Sequence, residues 1–362
     1  MNKNKKVIVL MSGGVDSSVS AALLKEQGYD VEGIFMKIYN EEEIKNVKYK
    51  RPACYGPKEE DIKDVQTVCE KLNIPLHIID LIKEYRKIVL DYFVDGYLKG
   101  ITPNPCIICN RYIKFGILIE RAKSLTNFDF IATGHYANVE YDKNLNRYLL
   151  KRAVDKKKDQ SYGLFLLNQD ILSKLILPCG KYKKNEIREI ARKFNLPVSE
   201  KKESQNFISG SAEFLFKDKN IKEGDVVDKN GNVIGKHKGI VYYTLGQRRN
   251  LKIDKPGRYY VIKKDVKNNI LVVGEEKDLY NKKFIVKDIN LISIDEIKDK
   301  LRCKVKVRYE QQPSSATIYP IDKNKLEIEF DKPVIAITPG QAAVFYDEDI
   351  VIGGGFIDEV IE

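Results

Sequence analysis

A short apolar strand that runs through a glycine-containing loop into a helix is the feature that most limits the fold of this chain. Residues 7–10 are VIVL, and residues 17–27 carry apolar residues at helical spacing, with Gly28 as a stop. The loop between them, residues 12–18, is SGGVDSS. Glycine lets a backbone approach an anion closely, and the first N–H groups of a helix point towards it. The segment therefore predicts a site for nucleotide phosphates.

Strands and helices alternate after this loop. Strands are predicted at residues 7–10, 29–39, 72–81 and 128–137, with helices at 17–27 and 59–71. Such alternation predicts an α/β fold with a doubly wound parallel sheet, in which ligands bind at the carboxyl ends of the strands. Met36, Gly134 and His135 fall at or near such ends, so we expect them to face the nucleotide or the substrate.

The remainder of the chain predicts two further domains. Strand patterns dominate from residue 208 onward, and residues 229–231, Lys-Asn-Gly, predict a hairpin turn. We expect a first domain at 1–207, a small β domain at 208–275 and a β-barrel-like domain at 276–362. Alternation in CKVKVRY predicts Val305, Val307 and Tyr309 on one face of a strand.

Charge is concentrated between the sheet and the β domains. Residues 151–202 contain 14 lysines and arginines against 6 aspartates and glutamates, and residues 156–205 have a helical pattern. This segment is either a solvated lysine-rich surface or a binding surface for a polyanion. No apolar run approaches the roughly 20 residues of a membrane span. The first residues lead directly into a strand, so we expect no secretory signal, and six irregularly spaced cysteines indicate a reducing cytoplasm.

A second informative stretch is GITPNPCIICNRYIKFG, residues 100–116. Its Thr-Pro-Asn-Pro predicts a rigid loop that presents Cys106 and Cys109 as a CxxC pair. The pair could be structural, half of a zinc site, or a redox or sulfur-handling pair. A zinc site needs four ligands, and the sequence has no second CxxC or Cys/His pair. The polar and basic residues that follow favour a thiolate, so catalysis or cluster binding is the preferred interpretation.

Five motifs in order resemble those of the bacterial tRNA-specific 2-thiouridylases, which belong to the PP-loop ATP pyrophosphatases. They are SGGVDSS, NPCxxCNxxIKF, ATGHYA, KDQSY at residues 158–162 and YTLGQRRNL at residues 243–251. The resemblance implies that ATP adenylates the C2 oxygen of the wobble uridine of a tRNA, with Mg²⁺ screening the phosphates. Sulfur then replaces that oxygen, and AMP and pyrophosphate are released. The partners implied are tRNA and a sulfur donor, either a persulfide-relay protein or inorganic sulfide, in the cytoplasm and without a membrane.

The resemblance also implies roles for individual residues. Cys109, before Asn110, matches the catalytic cysteine, with Cys106 as its possible partner. The target base would meet Asn104, Pro105 and Cys106. The ATP contacts implied are Leu10, Met11, Ser12, Gly13, Gly14, Val15, Asp16, Ser17, Met36 and Gly134. The tRNA contacts implied are His135, Lys158, Asp159, Gln160, Arg308, Tyr309 and Gln341.

Two departures put the sulfur chemistry in question. Many relatives have aspartate where this chain has Cys106, and the family carries a second cysteine in a segment resembling ESxxICFI. Here residues 203–210 are ESQNFISG, without cysteine. Either Cys106 is the resolving thiol for Cys109, or Cys54, Cys106 and Cys109 bind a 4Fe-4S cluster. Cys179 is the alternative third ligand.

The two other cysteines are predicted to be structural. Cys69 has helical spacing with apolar neighbours and is expected in the core, and Cys303 starts a predicted strand.

Other functions stay open at this point. A cluster-dependent sulfur transferase could act on another tRNA base. A PP-loop synthetase could act on a small metabolite, which would leave the basic segment and the β domains without a use. An ATP-dependent RNA-binding module would make Cys109 dispensable.

Overall fold

The structure is a computed structural model that describes residues 5–39, 53–55, 59–202, 206–208 and 212–361. Two compact units are present. The first contains Met1–Val89, Cys106–Ser211 and Asp349–Ile352, and the second contains Leu90–Pro105, Ala212–Glu348 and Gly353–Glu362.

The first unit is built on a parallel sheet. The strands that begin in this unit are β1 (Lys6–Met11), β2 (Asp30–Lys37), β3 (Ala53–Tyr55), β4 (Leu76–Asp80), β5 (Phe130–Thr133), β6 (Ala137–Asp142), β7 (Arg147–Arg152), β8 (Leu175–Ile176) and β9 (Asn206–Ile208), of which β6 and β7 form an antiparallel pair outside the parallel sheet. Within the described residues, β4, β2, β1, β5 and β8 form a five-stranded sheet in that order, with every neighbouring pair parallel. The central strand β1 is almost fully buried, which explains its continuous apolar sequence. A separate parallel pair joins β3 to β9.

The α-helices of the described residues before the β structures belong mostly to the first unit, and the helix at Asp91–Leu98 belongs to the second. They are α1 (Val15–Glu26), α2 (Glu59–Leu72), α3 (Ile82–Tyr85), α4 (Asp91–Leu98), α5 (Pro105–Ile108), α6 (Leu118–Lys123), α7 (Gln169–Leu172) and α8 (Lys184–Lys193). Arg86–Leu90 and Cys109–Ile117 are π-helical. Helix α1 buries Val19, Ala22 and Leu24 in the core, and Cys69 of α2 joins the same cluster, as predicted.

The prediction of a mainly helical segment at 156–205 was too broad. In its described part, α7 and α8 are the α-helices, with single 3-10 turns at Ser161–Leu164 and Pro178–Lys181. Strand β8 also lies within this segment and pairs with β5. The Pro178-Cys179-Gly180 sequence stops helix propagation, since proline cannot continue the hydrogen-bond ladder and glycine favours turns.

The second unit contains two β structures. Strands β10 (Gly224–Val227), β11 (Val233–His237), β12 (Tyr260–Asp265) and β13 (Ile270–Gly274) form a sheet in the order β11-β10-β13-β12. The predicted turn joins β10 to β11, where Gly231 has a φ of 83°. Strands β14 (Tyr280–Leu291), β15 (Leu301–Lys306), β16 (Ser314–Pro320), β17 (Lys325–Ile335), β18 (Ala342–Asp347) and β19 (Ile350–Ile361) follow. They close into a barrel through the pairing of β14 with β19. The predicted fold class is therefore confirmed.

The face assignment at the end of β15 was wrong. The strand ends at Lys306, which is buried, whereas Tyr309 is exposed. The Lys306 ammonium lies 5.3 Å from the centre of the Tyr309 ring. A period of two holds only while the chain stays extended, so it could not be continued past the strand end.

Cys303 is buried within β15, as its structural role predicted. No helix in the described ranges has the length and apolar character needed to span a bilayer.

Candidate active site

The SGGVDSS loop is held in shape by its own serines. The hydroxyls of Ser17 and Ser18 donate to the carbonyl of Gly14 at 3.2 and 2.9 Å, and the N–H of Ser12 donates to Ser17 Oγ at 3.2 Å. Gly14 is the N-cap of α1 and supplies no capping side chain. The first turn of α1 therefore directs backbone N–H groups towards the loop without competition from a cap, as an anion site requires.

Two glycines are required by close approaches around the loop. Gly13 has a φ of +75°, and a Cβ there would lie 2.8 Å from backbone and side-chain atoms of Asp61. At Gly134, just after β5, a Cβ would lie 2.6 Å from the backbone nitrogen of Ser17. Larger residues at either position would displace the loop, so these glycines preserve its shape.

Asp16 is the most strongly bonded side chain of the loop. Its Oδ1 accepts hydrogen bonds of 2.7 Å from both the Tyr136 hydroxyl and the Lys184 ammonium. Lys184 is only 14% exposed, and its ammonium lies 5.6 Å from the centre of the Tyr136 ring. In the sequence Lys184 is one of the basic residues of the 151–202 segment, and nothing in its neighbours marks it as a partner of residue 16. The Lys184 ammonium is thus held beside the phosphate-binding loop.

Cys179 supports the loop from behind and does not serve as a cluster ligand. Its thiol donates to the carbonyl of Asp16 at 3.4 Å and lies 3.4 Å from the Ser20 hydroxyl. Burial raises the pKa of this thiol to about 12, so it stays neutral. A fully buried, hydrogen-bonded thiol is a packing residue, and the alternative third ligand proposed from the sequence is therefore wrong.

Two residues predicted to face the nucleotide or the tRNA lie near the carboxyl ends of strands. Met36 is in β2 and pairs with Ile79 of β4. His135 follows β5, and its Nδ1 lies 2.8 Å from the Thr133 hydroxyl. Burial, and secondarily Lys114, lower the pKa of His135 well below its usual value. The imidazole is therefore neutral and suited to hydrogen bonds with a base or ribose.

The CxxC pair lies on helical backbone, which corrects the predicted rigid loop. Helix α5 begins at Pro105, and Cys109 begins the π-helical segment that follows. Proline is favourable at the first helical position because its missing N–H would have no partner there. Cys106 is exposed and Cys109 is buried.

Asn110 fixes the segment that follows Cys109. Its Nδ2 donates to the Gly163 carbonyl at 2.8 Å, and its Oδ1 accepts from Lys114 at 3.0 Å. The asparagine that accompanies the CxxC in the sequence therefore anchors the backbone beside Cys109.

A third thiol belongs to the same neighbourhood. The pKa of Cys106 is raised to about 12, first by desolvation and then by the charges of Cys54 and Cys109. Cys106 nevertheless has exposed surface. Water therefore reaches the Cys106 thiol, although protein atoms surround it closely. The fully buried Tyr85 interacts electrostatically with all three thiols.

The cluster ligand set is not shown by this arrangement. Among the described residues, which include all three cysteines, no group of three Cys, His, Asp or Glu side chains is arranged to hold a metal ion. Pro52, Gly56 and Pro57, which the sequence placed around Cys54, lie outside the described ranges.

The predicted tRNA contacts of the first unit differ in accessibility. Asp159 is 3% exposed, and its carboxylate accepts from the N–H groups of Ala153 and Ser161. Gln160 accepts from the Tyr136 N–H at 2.9 Å. Asp159 thus organises the 158–160 segment from within.

The second unit holds the remaining predicted tRNA contacts. Arg308 donates to the carbonyls of Ala336 and Leu245, and Tyr309 is 44% exposed. Gln341 donates to the Thr102 carbonyl at 2.7 Å, two residues before Asn104. Gln341 therefore supports the segment that leads to the CxxC, whereas Tyr309 has surface to offer a partner.

Much of the basic segment is engaged within the protein. Arg188 donates to the carbonyls of Ser199 and Lys201, while Arg192 and Lys193 pair with Glu200 and Glu26. Lys181 and Lys183 are exposed.

A surface concavity of about 860 Å³ in the first unit is lined by residues such as Ile78, Arg111, Tyr112 and Leu125. None of the loop residues or cysteines lines it, so we do not place the reaction there.

Comparison with known proteins gives consistent matches along the chain. The tRNA methyl transferase HUP domain model matches residues 5–209, and the tRNA methyl transferase PRC-barrel domain model matches residues 212–275. The aminomethyltransferase beta-barrel domain model matches residues 281–357. The tRNA-specific 2-thiouridylase MnmA of Clostridioides difficile (strain 630) is 44% identical, with 99% of each chain covered. Those of Acetivibrio thermocellus and Caldicellulosiruptor saccharolyticus are 44% and 43% identical, with 98–99% of this chain and 99% of each relative covered.

Proposed function

This chain belongs to the tRNA-specific 2-thiouridylase family, and we propose that it replaces the C2 oxygen of the wobble uridine of tRNA with sulfur, using ATP. The observation that carries the proposal is that one unit holds both the SGGVDSS loop and the Cys106–Cys109 pair. The loop supplies activation and the thiols supply sulfur. The C2 oxygen of uridine is a poor leaving group, so it must first be converted into one that departs as AMP.

The activation step uses the SGGVDSS loop and the Lys184 ammonium that is bonded to Asp16. Backbone N–H groups at the start of α1 would hold the phosphates of ATP, and Leu10, Met11, Met36 and Gly134 would complete the nucleotide site. Lys184 lies beside Asp16 and would neutralise charge on the phosphates as the α-phosphate is transferred. Asp16 belongs to the loop, and Asp61 packs against Gly13 while its carboxylate pairs with Lys201; Mg²⁺ held mainly by phosphates needs only one or two carboxylates. These residues fit Mg²⁺, which would screen the phosphates.

Contacts with tRNA are proposed in each unit. Asn104, Pro105 and Cys106 are consecutive and would meet the target base. His135, Lys158, Gln160, Arg308, Tyr309 and Gln341 are the proposed contacts, with Asp159 shaping the backbone of its neighbours. The neutral His135 would contact a base or ribose.

The sulfur step is proposed to use thiols. Cys109 would release the sulfur that reaches the base from a persulfide. A second cysteine would form a disulfide with Cys109 as that sulfur is reduced. The alternative is a 4Fe-4S cluster on Cys54, Cys106 and Cys109. Among the described residues, these side chains are not arranged as a group that could hold a metal ion. Iron and sulfide assay of anaerobically purified protein separates the two routes. The donor would be a persulfide-relay protein or inorganic sulfide, in the cytoplasm.

The test is AMP formation and tRNA thiolation by the purified protein. Wild-type protein with ATP, Mg²⁺, unmodified tRNA and sulfide should yield 2-thiouridine, detected by mass spectrometry of the nucleosides, together with AMP. Asp16→Ala should lose AMP formation by at least about tenfold while tRNA binding changes by only a few fold. The matched control is Asp299→Asn, at an exposed aspartate of the second unit. Unchanged turnover in Asp16→Ala would refute the assignment of the loop.

A further inference from the structure

We propose that Cys54 is the sulfur carrier of this protein: it receives a persulfide sulfur and exchanges it with Cys109. The inference deepens the proposed function and rests on it. It assigns the second thiol of the exchange to strand β3 and not to the CxxC pair.

The first observation is the position of Cys54 in the fold. Strands β3 and β9 are parallel, with Ala53 paired to Asn206 and Tyr55 paired to Ile208, so Cys54 lies between these pairs. Tyr55 is buried, and its ring stacks on that of Tyr85 with centres 5.8 Å apart. Side chains alternate along a strand, so Cys54 points away from this packed face, and it is exposed.

The second observation is that three thiols share one neighbourhood. Burial raises the pKa of Cys106, and the charges of Cys54 and Cys109 raise it further. Burial likewise raises the pKa of Tyr85, the ring on which Tyr55 stacks, and the charges of all three cysteines add to this shift. The stack of Tyr55 on Tyr85 therefore fixes the short strand that carries Cys54 against α3. Cys54 has no core-packing role that would explain a cysteine there.

The third observation is that Cys54 and Cys109 differ in exposure to solvent. A carrier thiol must meet an external donor, and Cys54 is exposed. The thiol that acts at the activated base must be shielded from water and oxidants, and Cys109 is only 7% exposed. The pair therefore has one accessible and one protected member, as transfer from an external donor to an internal acceptor requires.

The location of β9 supports the same assignment. Residues 203–210 are the segment in which the resemblance placed the family's second cysteine, and β9 is its described part. Here β9 is Asn-Phe-Ile, and the strand hydrogen-bonded to it supplies Cys54. The thiol is thus retained in this part of the fold, although the strand that carries it differs.

The exchange balances without a metal. A donor persulfide transfers its outer sulfur to Cys54, giving Cys54–S–SH and the donor's thiol. The Cys109 thiolate attacks the inner sulfur of Cys54, which forms the Cys54–Cys109 disulfide and expels HS⁻. This hydrosulfide attacks C2 of the adenylated uridine and displaces AMP, with loss of a proton. The two cysteines have been oxidised and the sulfane sulfur reduced, so an external dithiol must reduce the disulfide before the next turnover.

The test compares two sulfur sources in Cys54→Ala and Cys54→Ser. With glutathione persulfide as donor, both variants should lose 2-thiouridine formation by at least tenfold. With sodium sulfide, which bypasses the carrier, they should stay within about twofold of wild type, and AMP formation should be unchanged. Cys303→Ala, at a buried cysteine of the barrel, is the matched control and should resemble wild type with both donors.

Disulfide mapping provides the second readout. After reaction with glutathione persulfide and no dithiol, peptide mass spectrometry should find Cys54 joined to Cys109 in wild type and in Cys106→Ala, because the exchange itself does not involve the target base. Wild-type activity of Cys54→Ala with persulfide, or a Cys106–Cys109 disulfide in its place, would overturn the inference. Iron bound in the wild type and lost in Cys54→Ala would also overturn it, in favour of a cluster ligand. Absence of thiolation by wild type with either donor would instead refute the proposed function, and the inference with it.

Discussion

Asp16 shows how a single carboxylate can order a phosphate-binding loop. Its Oδ1 accepts from Tyr136 and Lys184, which come from the segment after β5 and from the start of α8. Three separate parts of the first unit therefore converge on one oxygen. Charge-assisted hydrogen bonds of this kind are short and resist displacement, so the Lys184 ammonium is positioned before ATP arrives.

We expect Lys184→Met to reduce AMP formation by at least about tenfold while leaving tRNA binding within about twofold. Methionine keeps the length of the side chain but removes the charge that would face the phosphates, and transition-state charge stabilisation by one donor is worth about 3 kcal/mol. The measurement is release of labelled AMP from ATP. Lys193→Met, at an exposed lysine at the end of the same helix, is the control. Equal losses in tRNA binding and AMP formation would contradict the assignment.

At the residue scale, the sequence predicted the phosphate-binding loop better than the side chains that contact it. The phosphate loop was predicted because glycine and helix-start signals are local. The Lys184–Asp16 bond was not, because it joins residues 168 positions apart and depends on the packing of α8. Cys179 was misjudged for the same reason, since its burial against α1 has no local signal.

At the scale of elements, the basic residues at the start of α8 and just before it have two different environments, which the sequence alone does not distinguish. Lys184 is turned towards the loop, whereas Lys181 and Lys183, just before the helix, are exposed. Arg188 holds the backbone at Ser199 and Lys201, so it is committed to the fold. Exposed lysines at 181 and 183 are therefore the part of this segment available to a polyanion.

Neutralising Lys181 and Lys183 together should weaken tRNA binding and flatten its salt dependence. Each lost phosphate contact should reduce the slope of log affinity against log salt by about 0.7–0.9, with tRNA assumed comparable to DNA. AMP formation at saturating tRNA should not change. Binding is measured by filter retention from 50 to 300 mM salt. The paired control is Lys277→Gln with Lys298→Gln, exposed lysines of the second unit. A slope identical to that of wild type would assign Lys181 and Lys183 to solvated surface.

The CxxC shows where element prediction failed and why. The sequence predicted that Thr-Pro-Asn-Pro forms no helix, and it placed Cys106 and Cys109 on the same rigid loop. The second proline, Pro105, instead starts α5, because proline restricts the residue before it but is compatible with a first helical turn. A helix boundary at a proline is ambiguous from sequence, and the error changes how the two thiols are displayed.

For the whole molecule, the parallel sheet and the closed barrel were predictable because each rests on repeated local patterns. The central strands of the sheet are continuous apolar runs, and the barrel strands alternate. The composition of the compact units was not predictable, since residues 90–105 belong with the β structures and residues 349–352 belong with the sheet. Such assignments depend on long-range packing that no single segment encodes.

The stability of the second unit should carry a pH dependence that comes from Lys264. This lysine of β12 donates to the Tyr243 carbonyl at 3.1 Å and lies 5.2 Å from the centre of the Tyr97 ring. Desolvation lowers its pKa from 10.5 to about 8. Between these values the unfolded chain binds more protons at residue 264 than the folded chain, so the contribution of Lys264 to the free energy of unfolding rises with pH from about 8 upward. Below about pH 8 both states are protonated, and the desolvation cost is fully present.

Lys264→Met should therefore abolish this rise, which we estimate at roughly 1–3 kcal/mol over the full window. Urea unfolding of the intact chain between pH 7 and 9.5 measures it as the difference from wild type at each pH. The upper limit avoids the range in which Tyr97, whose pKa is raised by burial, would ionise in the unfolded chain and lower stability. Cys303, whose pKa burial raises from 9.0 to about 12, lowers stability above about pH 9, and this effect cancels in the difference between variant and wild type. Lys263→Met, at the exposed neighbour on the same strand, is the control and should keep the wild-type slope. If Lys264→Met and wild type gain stability equally from pH 8 to 9.5, the ammonium is solvated in the folded protein and the explanation based on burial is wrong.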